Sequence, residues 1–331
     1  MSKKRLLILT RDRQNAAFRQ RIEPYLGALR QAGIEAEVAE LARGPFARRC
    51  EMRRATAFDG VLLHRKTLTW WDAGAIRGAR RLIYDFDDAV MYQARRPDRP
   101  HGGRMRRFRR TMGRADLVIA GNPILADHAR EAGAKCVEIV PTGLDVSKFP
   151  AKQTYQVRDG LHLVWIGSRS TLKQLAAVRG MLEAVGRAAP GAVLRIIADA
   201  EFAVEGLRVE NLPWSLAAEG RLLAESDIGI APLPDTPYAR GKCGFKVLQY
   251  MAAGLPVVAS PVGVNAEYVR PEETGLWART AEEWAAAVRR LAADGAIRER
   301  MGRAGRRRIE AEFDFAVLAP NLVGAVAEAL A

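Results

Sequence analysis

The chain has 331 residues, of which 49% are hydrophobic and 27% charged, a composition that excludes disorder and fibre and suits one large or two medium domains with real cores. No apolar run approaches the ~18–20 residues that span a bilayer, and Met1-Ser2-Lys3-Lys4-Arg5 leads into only five apolar or hydroxyl residues, so no signal peptide is expected. Cys50, Cys136 and Cys243 have neither paired nor metal-type spacing, which suits a reducing, cytoplasmic location. The net charge of +14 is unevenly spread: residues 1–155 hold 31 Lys and Arg against 17 Asp and Glu, whereas residues 156–331 hold 21 against 21. Two halves with different partners are implied. The densest stretch, Arg95 to Arg114, carries nine arginines and one acid, Asp98.

In chain order, Arg5 to Thr10 reads as a buried strand, Phe18 to Gln31 as a helix ending at Gly33, and Ile34 to Val38 as a second strand. Short apolar runs recur at Gly60 to His64, Arg81 to Tyr84, Asp116 to Ala120 and Cys136 to Val140, with helical segments Arg104 to Gly113 and Pro123 to Ala132 between them. Strands of about five residues separated by helices imply a parallel sheet covered on both faces. Pro141-Thr142-Gly143-Leu144-Asp145 and the polar stretch to Gly160 break the rhythm as an interdomain linker would. It restarts with strand Leu161 to Ile166, helix Leu172 to Ala188, strand Val193 to Ala198, helix Leu216 to Glu225, strand Asp227 to Ala231, helix Cys243 to Ala253 and strand Pro256 to Ala259. The expected fold is α/β: two Rossmann-like, doubly wound parallel-sheet domains (1–155 and 156–312) facing a cleft, with residues 313–331 as a C-terminal helix packing back toward the first. No Gly-x-Gly-x-x-Gly follows either first strand and no Walker-type loop is present, which disfavours ordinary dinucleotide and P-loop chemistry.

Chemistry concentrates in residues 240–265. Gly241 and Gly244 permit close backbone approach, the helix opening there has free amide donors, and Lys242 and Lys246, four apart on one face, complete an anion cradle. Gln249, one turn on, suits ribose hydroxyls. The same residues also fit a surface helix with two solvated lysines over an apolar face of Phe245, Leu248 and Met251.

The run Gln249-Tyr250-Met251-Ala252-Ala253-Gly254-Leu255-Pro256-Val257-Val258-Ala259-Ser260 resembles the signature of GT-B glycosyltransferases, in particular glycosyltransferase family four, the glycosyl transferases group 1. Asp116 to Ala120, Pro141 to Asp145 with Phe149, Trp165 to Ser168, and Gly263 followed by Glu267 fall in that family's order. The resemblance implies a C-terminal domain that binds a nucleotide sugar through Gly167 and Ser168 in a donor loop, the basic pair Arg169 and Lys173, the segment Lys242, Gly244, Phe245 and Lys246 at the diphosphate, Gln249 at the ribose, and Glu267. Both glutamates of the family's Glu-x7-Glu are missing, their positions being Gly241 and Gln249. That departure leaves a catalytically weak or silent nucleotide-sugar-binding protein open, beside a sugar-nucleotide epimerase of the same fold.

The implied reaction is retaining transfer of a sugar to a glycan or lipid-linked acceptor in cell-surface polysaccharide or glycolipid biosynthesis, with no cofactor and no metal. The leaving diphosphate is stabilised by helix amides and Lys246. Asp87 and Asp88, after the strand Arg81 to Tyr84, stand either as catalytic contacts or as capping and ion-pairing groups. Arg19 and Arg21 follow the first strand on the acceptor side, where they fit either an anionic acceptor or plain solvation, and His101 in its Gly-rich basic loop is expected to be exposed there. Arg95 to Arg114, with Met105, Phe108 and Met112 at helical spacing, fits either peripheral contact with an anionic membrane at its inner face or a basic helix whose apolar residues face the core. A nucleic-acid role is disfavoured because no stacking-aromatic array accompanies the arginines.

Overall fold

The computed structural model describes residues 3–157 and 159–331. They fall into two compact units, the first made of residues 1–143, 236–243 and 315–331, the second of residues 144–235 and 244–314. The chain passes between units after Gly143, not after residue 155, so residues 144–155 pack with the second unit. Pro237–Arg240 and the residues up to Cys243 return to the first.

Unit 1 is built on six strands, β1 Lys4–Thr10, β2 Ile34–Glu40, β3 Gly60–His64, β4 Leu82–Phe86, β5 Leu117–Ala120 and β6 Val137–Ile139. All pair in parallel, in the order β2-β1-β3-β4-β5-β6. Leu6 to Leu9 are fully buried because helices cover both faces, as a near-continuous apolar strand requires. Along β4 the alternation is clean: Leu82, Tyr84 and Phe86 join one core and Ile83 the other. The second face is closed by the C-terminal helix Phe315–Leu330, whose Leu318, Leu322, Val326 and Leu330 recur at helical spacing against Leu6, Ile8 and Tyr25.

Unit 2 has the same plan: β7 His162–Ile166, β8 Val193–Ala198, β9 Arg208–Pro213, β10 Ile228–Ala231, β11 Val257–Ala259 and β12 Gly275–Trp277, all parallel, in the order β12-β11-β10-β7-β8-β9. Strands β9 and β12 are absent from the sequence reading, β9 because Glu210 and Asn211 interrupt its apolar pattern and β12 because it has three residues. The long helices expected over Phe18–Gln31 and Leu172–Ala188 are each broken, the first at Pro24 into Ala16–Arg21 and Leu26–Gln31 with a 3-10 turn between them, the second into Arg169–Ala176 and Arg179–Ala188. Among the described residues no helix is long and apolar enough to cross a membrane.

Each sheet reverses its winding once, between β1 and β3 and between β7 and β10. At the second reversal a side chain separates the strands. Pairing of β7 with β10 stops at Val164 and Gly229, and beyond it the buried Tyr250 hydroxyl accepts from Ile166 N (3.1 Å) and donates to Ile230 O (3.2 Å). Gly229 makes room for the ring, since a Cβ there would lie 2.4 Å from Tyr250. Tyr250→Phe is therefore expected to leave a buried amide and carbonyl unpaired, costing about 1–3 kcal/mol. Gly229→Ala should overpack the same spot at a similar cost. Urea unfolding checks both, and wild-type midpoints in both variants would remove the wedge.

Candidate functional site

Ligands of open parallel sheets bind beyond the carboxyl ends of the strands at the point where the winding reverses. In unit 2 that point is occupied by the residues expected to form a donor loop. Gly167 follows β7, and its Cα faces Trp165, Thr171 and Lys246 so closely that a Cβ would lie 2.5 Å from the indole and 3.0 Å from Lys246 Nζ. The ammonium of Lys246 lies over the buried Trp165 ring, 4.8 Å from its centroid. Lys246 is the second residue of the helix Phe245–Ala252, which opens at Gly244 in the left-handed region (φ 62°), where a Cβ would strike Val264 and Tyr268. The ammonium of a first-turn lysine therefore stands beside Gly167 at the end of β7, a placement that suits an anion.

Other expected donor residues sit as follows. Ser168 caps the helix Arg169–Ala176, its amide donating to Thr171 Oγ1 (3.0 Å) and its hydroxyl 2.8 Å from Ser170 Oγ. Arg169 is turned onto Asp199, whose carboxylate accepts from its backbone N–H and whose carbonyl accepts from its guanidinium (3.2 Å). Lys173, one turn on, is exposed. Phe245 packs partly buried against the core that holds Tyr250. Glu267 is exposed in the short helix Asn265–Tyr268, and Arg308 binds its carbonyl rather than its carboxylate.

Two expectations need correction here. Lys242 and Lys246 are not a pair on one helix face: the helix begins at Phe245, and Lys242 belongs to unit 1, its ammonium 4.6 Å from the Tyr238 ring centroid. Burial opposes the charge of Lys242, yet Asp88 and Tyr238 hold its pKa above the ordinary value. Gln249 does not present a free amide. It is buried and donates to Glu219 Oε2 (3.3 Å), which also accepts from Trp214 Nε1 (2.8 Å). Glu219 and Trp214 are absent from the sequence reading. The available signal was a tryptophan just past a strand end and an acid in the first turn of the helix Glu219–Ala224.

In unit 1 the reversal point is an open pocket of about 370 Å³. At its floor Thr10, the last residue of β1, meets His64, the last of β3, with Oγ1 and Nδ1 3.1 Å apart. His64 is buried, its Nε2 has no hydrogen-bond partner among the described residues, and burial foremost lowers its pKa. Arg65 follows with φ 57°, a conformation rarely adopted by a side-chain-bearing residue. It pairs with Asp87 (3.3 Å) and Asp88 (3.1 Å). Asp87 foremost, and Asp88 after the opposing effect of burial, hold the Arg65 guanidinium above its ordinary pKa. Asp87 is buried with Oδ1 lacking a hydrogen-bond partner; Asp88 lines the pocket and caps Ala89 N (3.0 Å). The ion pairing allowed for by the sequence is present in both, and Arg65, unmarked by any motif, is its centre.

The acceptor-side expectations divide. Arg21 is unavailable to a ligand: it is fully buried beneath the sheet, its Nη2 2.5 Å from Asp85 Oδ2 and its Nη1 donating to Val140 O. The cause is that β4 runs on to Phe86, so Asp85 points inward and needs a buried cation. Arg19 is half-buried and donates to Gln14 O (2.7 Å). His101 is exposed and caps the arginine-rich helix Gly102–Met112 through Arg104 N. Within that helix Phe108 and Met112 are wholly buried and Met105 packs against the same core, so its apolar stripe does not face a membrane.

Residues 162–294 match the family model of the glycosyl transferases group 1. That match lies in unit 2 apart from residues 236–243. Over 221 residues, 62% of the chain, the sequence is 24% identical to glycogen synthase of Mycobacterium tuberculosis; the match covers 52% of that protein, about half the length of the curated relative. Among solved structures the chain is similar to sucrose-phosphate synthase from Thermosynechococcus elongatus (TM-score 0.76, 16% identity, 98% of both chains). It is also similar to Anabaena HepE in complex with UDP and glucose (TM-score 0.74, 16% identity, 98% of this chain and all of that one). The two parallel-sheet units are thus those of a GT-B glycosyltransferase fold. At Gly241, where the resemblance would put a glutamate, a Cβ would lie 2.7 Å from that of Ala89.

The depressed pKa of His64 sets a pH dependence. The unfolded chain takes up a proton near pH 6.5, whereas the folded unit resists it, so stability falls as pH drops below that value and recovers above it. Urea midpoints measured from pH 8 to 5 should decline for the wild type and decline less for His64→Gln; equal slopes would dismiss the histidine.

Proposed function

We propose that the chain transfers a sugar, with retention of anomeric configuration, from a nucleotide-sugar donor held by unit 2 to a hydroxyl acceptor held by unit 1. The observation that carries this reading is the β7–β10 reversal, where the Lys246 ammonium and the opening of the helix Phe245–Ala252 stand beside Gly167 in the segment that matches the glycosyl transferases group 1. A uridine diphosphate sugar is the favoured donor, supported by the complexes of HepE with UDP and with UDP-glucose.

In the reaction the acceptor oxygen bonds to the anomeric carbon on the face that the diphosphate leaves. The bond from that carbon to the phosphate oxygen breaks, and the acceptor proton passes to the departing diphosphate. Lys246 and the helix amides take up the charge that develops on the leaving group. Glu267 and the Ser168 loop complete the donor side, while Gln249, buried and held by Glu219, braces the helix that carries Lys246. Asp88 contacts the acceptor hydroxyl, while Asp87 acts through Arg65 as a positioning residue. The scheme needs no enzymic nucleophile, cofactor or metal, and its products belong to cell-surface glycan or glycolipid assembly at the cytoplasmic side.

Calorimetry with UDP, GDP, ADP and TDP and their sugars tests the donor side. UDP and its sugars should bind the wild type, and Lys246→Ala should weaken them about tenfold or more, since one charge-assisted contact is worth ~1.5–3 kcal/mol. No nucleotide binding would end the transferase reading; equal binding by the variant would end the lysine role.

The membrane contact is reassigned from the arginine-rich helix to its neighbours. Trp70 and Trp71 are 69% and 63% exposed, with rings 5.0 Å apart, and Phe46 is 84% exposed. They lie on the helices Trp70–Ala75 and Pro45–Arg53, which pack against each other; the former also meets Gly102–Met112. The three helices carry eight arginines and two acids, Glu51 and Asp72. Asp72 is already occupied by Lys66 and Arg48. Exposed indoles beside a basic surface fit an anionic bilayer interface. Sedimentation with anionic liposomes should be strong at low salt, reduced at high salt and reduced further in Trp70→Ser/Trp71→Ser. No binding at low salt rules the contact out.

A further inference from the structure

We infer that the pocket of unit 1 recognises a phosphate carried by the acceptor, so that the substrate glycosylated is a phosphorylated polyol or sugar. Four arginines line the pocket; beside Arg65, which is paired with Asp87 and Asp88, they are Arg11, directly after β1, and Arg104 and Arg107, one turn apart on the helix Gly102–Met112. Among the described residues none of the three pairs with a carboxylate, although Asp12 and Asp88 line the same pocket. Arg104 is fixed by donating to Tyr92 O (2.6 Å). Burial lowers the pKa of Arg11, and the like charges of Arg107, Arg104 and Arg48 lower it further. Guanidinium groups crowded without a counter-ion repel one another, and an oxyanion that accepts from their planar forks removes the repulsion while gaining bidentate hydrogen bonds.

The rest of the pocket suits hydroxyl groups. His64, buried and pocket-lining, keeps Nε2 without a partner, and Asp88 offers a carboxylate already oriented by Arg65. A ligand with a phosphate at one end and hydroxyls at the other satisfies both regions; a neutral glycan leaves Arg11, Arg104 and Arg107 uncompensated, and a bare phosphate leaves the Asp88 carboxylate unengaged.

The assignment of this ligand as acceptor rests on the transferase reading, and the test separates the two. Full-length protein is titrated with glucose 6-phosphate, glucose and inorganic phosphate, and in parallel with UDP. Glucose 6-phosphate should bind about tenfold or more tightly than either glucose or inorganic phosphate. Arg11→Gln and Arg107→Gln should each weaken it about tenfold or more, whereas Arg106→Gln, on the same helix outside the pocket, and the UDP affinity of every variant should stay at wild-type values. Thermal melts establish that the variants are folded. If glucose 6-phosphate fails to bind, or binds the Arg11→Gln/Arg107→Gln double variant as well as the wild type, while UDP still binds, the phosphate pocket is overturned and the donor reading survives. If UDP fails to bind while glucose 6-phosphate behaves as stated, the pocket stands as a phosphate site and its role as acceptor site is lost with the transferase reading.

Discussion

A parallel sheet that winds in one direction from one strand and in the other from its neighbour cannot keep both connections on the same side of that pair. The loops leaving β1 and β3, and those leaving β7 and β10, therefore diverge and leave a gap lined by backbone polar groups. The side chains that bear on function in both units gather at these gaps. Unit 2 fills the lower part of its gap with Tyr250 and leaves Gly167, Trp165 and Lys246 above it. Unit 1 fills its own with Thr10 and His64 and leaves an open arginine-walled pocket. The same topological constraint thus gathers cationic side chains at both reversal points.

Unit 1 also shows how a basic half-chain stores its charge. Arg21 and Asp85 form a closed pair beneath the sheet, where removing one partner would strand the other at a cost of about 3–5 kcal/mol. One strand end away, Arg65 adopts a rare backbone conformation that puts its guanidinium between two acids. Asp85, Asp87 and Asp88 are thereby compensated, and the arginines that remain line the pocket and the surface.

Much of this was legible in the sequence, for identifiable reasons. Apolar runs such as Leu6 to Leu9 and Val193 to Ala198 can only be strands buried on both faces, so the sheets and their parallel sense follow from pattern alone. The glycines at 167 and 244 and the lysine at 246 were legible because close backbone approach requires residue types that stand out. What was not legible depends on partners distant in sequence. Arg21 looks like any helical arginine until β4 is known to extend through Asp85; Gln249 looks like a ribose ligand until Glu219, 30 residues earlier, is seen to hold it. Arg65 has no motif at all, and its importance is a matter of one dihedral angle. The stripe of Met105, Phe108 and Met112 fitted a membrane and a core equally well, and only the packing of unit 1 against it separates the two.

Tyr250 has one more consequence. In an ordinary ladder the amide of Ile166 would be protected by a neighbouring carbonyl, and its exposure would report the opening of two strands. Here it is protected by a phenolic hydroxyl on a helix that also carries Lys246. Exchange of that single amide with solvent therefore monitors the seating of the helix rather than the integrity of the sheet.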